Sequence, residues 1–240
     1  YTNGEIVYFN VDNGTKCSNY TETQSKTGVK SGCMKFYAFN DNGKDTVNLI
    51  LDHNTTETIY WNSSISNTSG PNEVLTQLKS DTASWQGTIT PSNYTMDQTG
   101  QSSNAKYTIN YSTYKARLIT ANEIAQITGN TTWNEKTAKT GYYFDTNKFS
   151  SSPTCKSGNI TGCKYGWLYD RISTSCTKYG CLNNADSGIM FGYWTAASCA
   201  KDSVYAWNVY YNATISTTGV GSSSSHGIRP VIEVLKSKLS

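Results

Sequence analysis

Seven cysteines and two histidines are the residues of this 240-residue chain best suited to chemistry. The cysteines fall into close neighbours: Cys17 with Cys33, Cys155 with Cys163, and Cys176 with Cys181, leaving Cys199 over. Each pair encloses a turn-rich stretch. Three local disulfides in an oxidising compartment are therefore expected, with Cys199 free. Zinc is the rival use of such residues, but no Cys-x-x-Cys occurs, and His53 and His226 lack ligand spacing. Asp52 beside His53 could be half of a hydrolytic triad, yet no Gly-x-Ser-x-Gly elbow supplies a nucleophile. His226 sits among serines, the setting of a solvated loop residue. No phosphate-binding glycine loop is present. These residues point away from an enzyme, and neither a cofactor nor a metal site is expected.

Binding chemistry is better represented. The chain is 12% aromatic, with 18 Tyr and 6 Trp, and only 15% charged, in a background of Ser, Thr, Asn and Gly. Tyr offers contact area at low entropic cost beside small adaptable polar groups. The segment Val204 to Tyr211 alternates as a strand does, so its successive side chains point to opposite faces. Trp207, Val209 and Tyr211, with Ile215, are expected to be buried. Asn208, Tyr210, Asn212, Thr214, Ser216 and Thr217 are expected to be exposed together as the ligand-binding face. The net charge of +3 comes from scattered lysines and arginines, not a run, which argues against nucleic acid. The mean hydropathy of −0.54 and the lack of a long apolar run exclude a membrane span within the segment. The chain opens at Tyr1, and any signal peptide or anchor is expected to have been removed upstream. Triplets such as Asn54-Thr-Thr, Asn93-Tyr-Thr and Asn212-Ala-Thr could accept glycans. In a chain this rich in Asn, Ser and Thr, we read them as chance.

Strands and two short helices must position these residues. Glu5 to Asn10, Lys35 to Phe39 and Thr46 to Leu51 read as strands. Asn40-Asp-Asn-Gly-Lys between the last two is a hairpin turn, since Asn and Gly tolerate positive φ. Pro71 opens a helix with Val74, Leu75 and Leu78 on one face. Thr120 and Glu123 make the capping box of a second helix, with Ile124 and Ile127 inward and Gly129 as the stop. Gly87 to Tyr111 reads as an irregular excursion, and Lys148 to Asn184 as loop. Gly166 to Asp170 is a short buried segment within it. A polar turn from Thr217 to Ser225 precedes a last strand in Gly227 to Val234. We see neither a repeat nor a linker, so residues 1–240 are expected to form one domain, with an N-terminal β extension over about residues 1–34.

The order Gly192-Tyr-Trp-Thr-Ala-Ala-Ser, Ala206-Trp-Asn-Val-Tyr-Tyr-Asn and Gly227-Ile-Arg-Pro-Val-Ile resembles the end of bacterial C-type-lectin-like domains. Those include surface proteins behind a prepilin-type N-terminus and the variable proteins of diversity-generating retroelements. Ala116-Arg-Leu-Ile-Thr-Ala-Asn-Glu resembles the entry to that fold's second helix, and Phe36 to Leu51 its opening strands. The resemblance covers most of the chain; it is most specific at the C-terminal end and weakest over the first sixty residues. It implies an α+β fold of antiparallel sheets, two short helices and long disulfide-stapled loops, in which N- and C-terminal strands pair or lie close. It also implies a ligand face near the C-terminal strands. The calcium tripeptides of vertebrate C-type lectins are missing: none of Pro71, Pro91, Pro153 and Pro230 sits in Glu-Pro-Asn or Gln-Pro-Asp. The related formylglycine-generating enzymes need a cysteine pair for copper, where Cys199 stands alone. The expected function is ligand binding, adhesion or display on a bacterial cell or phage surface, with a protein or glycan partner. The alternative is a pilin-like structural subunit able to assemble into a filament.

Overall fold

The computed structural model describes residues 1–21, 28–90, 95–97, 107–145, 162–169, 192–210, 212–223 and 226–240. It is α+β and mostly antiparallel. The first sheet is built from β1 (Ile6–Asn10), β2 (Thr15–Lys16), β3 (Cys33–Phe39), β4 (Thr46–Leu51), β5 (Thr88–Ile89) and β13 (Val231–Leu235), in the order β2-β1-β3-β4-β13-β5. Its β3–β4 hairpin turns where the sequence demands it, with Asn40 at φ 49° and Gly43 at φ 77°.

The second sheet holds β8 (Tyr142–Tyr143), β9 (Gly192–Ser198), β10 (Tyr205–Tyr210), β11 (Thr214–Gly219) and β12 (His226–Gly227), in the order β12-β9-β10-β11-β8. Among the described residues, only β12 and β9 run parallel. A small ribbon pairs β6 (Thr95–Asp97) with β7 (Thr108–Asn110), so the expected excursion from Gly87 to Tyr111 carries strands at both ends. The turn expected from Thr217 onward begins later, because β11 runs on to Gly219.

Helix α1 (Asn72–Asp81) follows Pro71 and buries Val74 and Leu78. Helix α2 (Ala121–Ile127) starts at the Thr120–Glu123 capping box and buries Ile124 and Ile127. Gly129, at φ 80°, ends it as expected. A 3-10 turn, Gly166–Leu168, buries Leu168 in the segment picked out from sequence.

Two cores form because the central strands are covered on both faces. Phe9, Phe36, Leu49, Trp61, Trp85, Trp194 and Val234 belong to one. Phe39, Ile50, Ile124, Tyr193, Trp207, Val209 and Ile215 belong to the other. The two end strands do not pair with each other. They lie in one sheet, with β3 and β4 between them. The reason is chain order: β3 pairs with its hairpin neighbour β4 and with β1, so β13 takes the other edge of β4.

Cys17–Cys33 is a disulfide across a separation of 16 residues, as expected, and Cys199 is free and buried. Cys163 is also disulfide-bonded. Its expected partner Cys155, and the Cys176–Cys181 pair, lie outside the described residues.

Candidate ligand-binding face

Strand register decides which of the candidate residues share a surface. Tyr210 on β10 pairs with Thr214 on β11, and Thr214 pairs with Tyr143 on β8. Directly opposed residues present their side chains on the same face. Tyr210, Thr214 and Tyr143 therefore make a row across three strands, spanning about 10 Å at ordinary strand spacing. Its exposure rises toward the sheet edge: Tyr210 and Thr214 are half-buried, and Tyr143 is 51% exposed. Ser216, two residues along from Thr214, lies half-buried on this face.

The other expected face residues divide. Asn208 is fully buried, contrary to expectation. It lies between Trp194 of β9 and Ser216 of β11, and its amide donates to Thr218 Oγ1 at 3.0 Å. Alternation assigned its face correctly but could not show that β10 is a central strand with both faces covered. Thr217 pairs with Trp207 and so points to the opposite face from Ser216. A strand cannot expose two successive residues on one side. Asn212 lies in the turn before β11, half-buried, and accepts from the Thr214 hydroxyl at 2.5 Å. Trp207, Val209 and Ile215 are buried as expected, and Tyr211 lies outside the described residues.

The row is supported from beneath. The Tyr210 ring lies 5.6 Å from His226, which lies 4.7 Å from Trp194. Burial pushes the His226 imidazole down to about 3, so it is neutral here, not the solvated residue expected.

The row shares its edge residue Tyr143 with a cleft of about 420 Å³ whose other described lining residues are Thr128, Gly129, Asn130, Tyr142 and Phe144, with Tyr142 pointing to the opposite face of β8 from the row. That volume is within the range of small-ligand sites. The turn that ends helix α2, Thr128 to Asn130, supplies one wall. Strand β8 supplies the other. The Tyr142 hydroxyl and Thr128 Oγ1 are 2.9 Å apart. Burial pushes the Tyr142 phenol up to about 12, so it stays protonated and able to hydrogen-bond at neutral pH. Tyr142 packs on Trp133 at 5.6 Å, and Trp133 on Trp207 at 4.8 Å, anchoring the wall to the core. Among the described residues, no side chain lining the cleft is charged.

Sequence reasoning missed this cleft. Gly129 was legible as a helix stop, but nothing local says that the chain after it returns to Gly141-Tyr-Tyr-Phe. The aromatic run itself was the available signal.

Asp52 and His53, the pair suggestive of catalysis, contact different groups. His53 Nε2 lies 3.0 Å from the Val29 carbonyl, while Asp52 accepts from Tyr37 Oη at 2.7 Å. Burial, the main cause, lowers the His53 pKa. Among the described residues, no group of three or more His, Cys, Asp or Glu side chains is placed to hold a metal ion. No family model matches the chain, and no curated protein or solved structure does either.

Proposed function

We propose that this chain is an extracellular ligand-binding module of C-type-lectin-like architecture, acting in adhesion or display on a bacterial cell or phage surface. The observation carrying this reading is the Tyr210–Thr214–Tyr143 row, whose edge residue Tyr143 also lines a cleft with no charge among its described lining residues. Rigid aromatic rings beside hydroxyl and amide groups suit recognition, and sites of this kind take ligands by contact and hydrogen bonding. The lack of charge among the described lining residues favours a ligand that is neutral where it touches them. The Cys17–Cys33 disulfide supports an oxidising setting.

The test is binding of the labelled protein to whole cells and to a glycan array, for the native chain and for Tyr143→Ala and Tyr210→Ala. Tyr143→Ala should keep the native melting temperature, as most surface changes do within about 0.5 kcal/mol. It should lose about tenfold or more in affinity, as an exposed aromatic anchor does. If both variants bind like the native chain, this face is not the site.

A further inference from the structure

Away from the ligand face, a lysine and an aspartate are sealed together inside the first sheet. Lys35 is in β3 and Asp52 directly follows β4, the hairpin partner of β3. The Asp52 backbone N–H donates to the Lys35 carbonyl at 3.0 Å, which fixes the two Cα positions side by side. Their side chains are 9% and 0% exposed, and Nζ lies 3.8 Å from Oδ1. That distance is too long for a hydrogen bond, whereas a relaxed ion pair closes to about 2.8 Å. Tyr37 Oη donates to Oδ1 at 2.7 Å. The second carboxylate oxygen, Oδ2, is buried without a hydrogen-bond partner. A buried carboxylate in this state carries a desolvation cost that its neighbours only partly offset.

From this geometry we infer that Lys35 and Asp52 condense spontaneously into an intramolecular amide. A proton passes from the Lys35 ammonium to the Asp52 carboxylate, leaving an amine and a carboxylic acid. Nζ attacks Cγ, and the Tyr37 hydroxyl stabilises the charge that develops on Oδ1. Nζ then loses a proton, the bond from Cγ to Oδ2 breaks, and Oδ2 departs as water. One C–N bond forms, one C–O bond breaks, and no oxidant or reductant is involved. The product replaces two buried charges with one neutral amide. It also ties β3 covalently to the end of β4. Proximity of this kind turns a slow bimolecular condensation into a unimolecular step. A cross-link there would suit a domain exposed to proteolysis or pulling, but its formation does not depend on the ligand face being correct.

The experiment is intact-mass spectrometry of the full chain, folded, then reduced and denatured. The native protein should be lighter than its reduced sequence mass by one water. A denaturing tryptic digest should show no cleavage after Lys35 and a branched peptide joining the Lys35 and Asp52 segments. Asp52→Asn should be lighter by one ammonia, the leaving group when an amide replaces the acid. Lys35→Met should have its full mass, and Tyr37→Phe should leave a larger share of freshly made chains at full mass. Native protein at full sequence mass, cleaved normally after Lys35, overturns the proposal whether or not any variant folds.

Discussion

At the scale of single residues, exposure is decided by neighbours that lie far along the chain. Trp207 and Asn208 are adjacent in sequence and opposite in chemistry, yet both are fully buried. Trp207 is held by its Nε1, which donates to the Glu135 carbonyl at 3.0 Å, and by the edge of Trp133 at 4.8 Å. Asn208 is held by the hydroxyl of Thr218. Replacing Trp207 with Ala removes a fully packed ring and leaves a cavity, and should cost about 3–5 kcal/mol. Denaturant melts measure this directly. A loss below about 1 kcal/mol would mean that the ring is not part of a close-packed core.

At the scale of the element, α2 shows how one side chain can start a helix and also fasten it. Thr120 Oγ1 accepts from the Glu123 N–H at 3.0 Å, and Glu123 Oε2 accepts from the Thr120 N–H at 2.9 Å. The same carboxylate takes the Arg117 guanidinium in two bonds, 2.8 and 2.7 Å, with Arg117 only 2% exposed. The two roles separate by substitution. Thr120→Ala loses one cap bond and should cost about 1 kcal/mol. Glu123→Ala loses the cap and leaves a buried guanidinium without its carboxylate, and should cost about 3–5 kcal/mol. Equal losses in urea melts would show that the ion pair contributes nothing beyond the cap. Because the turn after α2 supplies Thr128 and Asn130 to the cleft, Glu123→Ala should also weaken ligand binding where Thr120→Ala barely does.

For the whole molecule, the buried histidines set the response to acid. His226 is held down to about 3 by burial, and the His53 pKa is lowered for the same main reason. Both are neutral in the folded chain. In the unfolded chain each takes up a proton near pH 6.5. The unfolded state therefore binds more protons as pH drops, and His226 removes about 1.4 kcal/mol per pH unit below pH 6.5, with the lowered His53 acting in the same direction. The Asp41 carboxyl adds to the loss further down. Lys236 and the Tyr1 amine hold its pKa well below the usual carboxylate range. The melting temperature should be flat above about pH 6.5 and fall steadily toward about pH 4. An unchanged melting temperature across that interval would show that the histidines are not buried as neutral rings.

The local sequence determined whatever depends on neighbours along the chain. It placed the β3–β4 turn at Asn40 to Gly43 because only a few residues accept positive φ, and it placed α2 because Thr120 and Glu123 are three residues apart. Short loops made Cys17–Cys33 legible. It separated Trp207 and Val209 from Asn208 and Tyr210 because alternation is a property of one strand. Tertiary structure alone decided that β10 lies inside a sheet, which buries Asn208, and that β11 continues past Thr217, which turns that residue to the far side. It alone put Tyr143 across from Thr214, seventy-one residues along the chain, and set the end of α2 beside β8 to open the cleft. The reason is physical: periodicity tells a side chain which way to point, but only the packing of distant strands decides what it meets there.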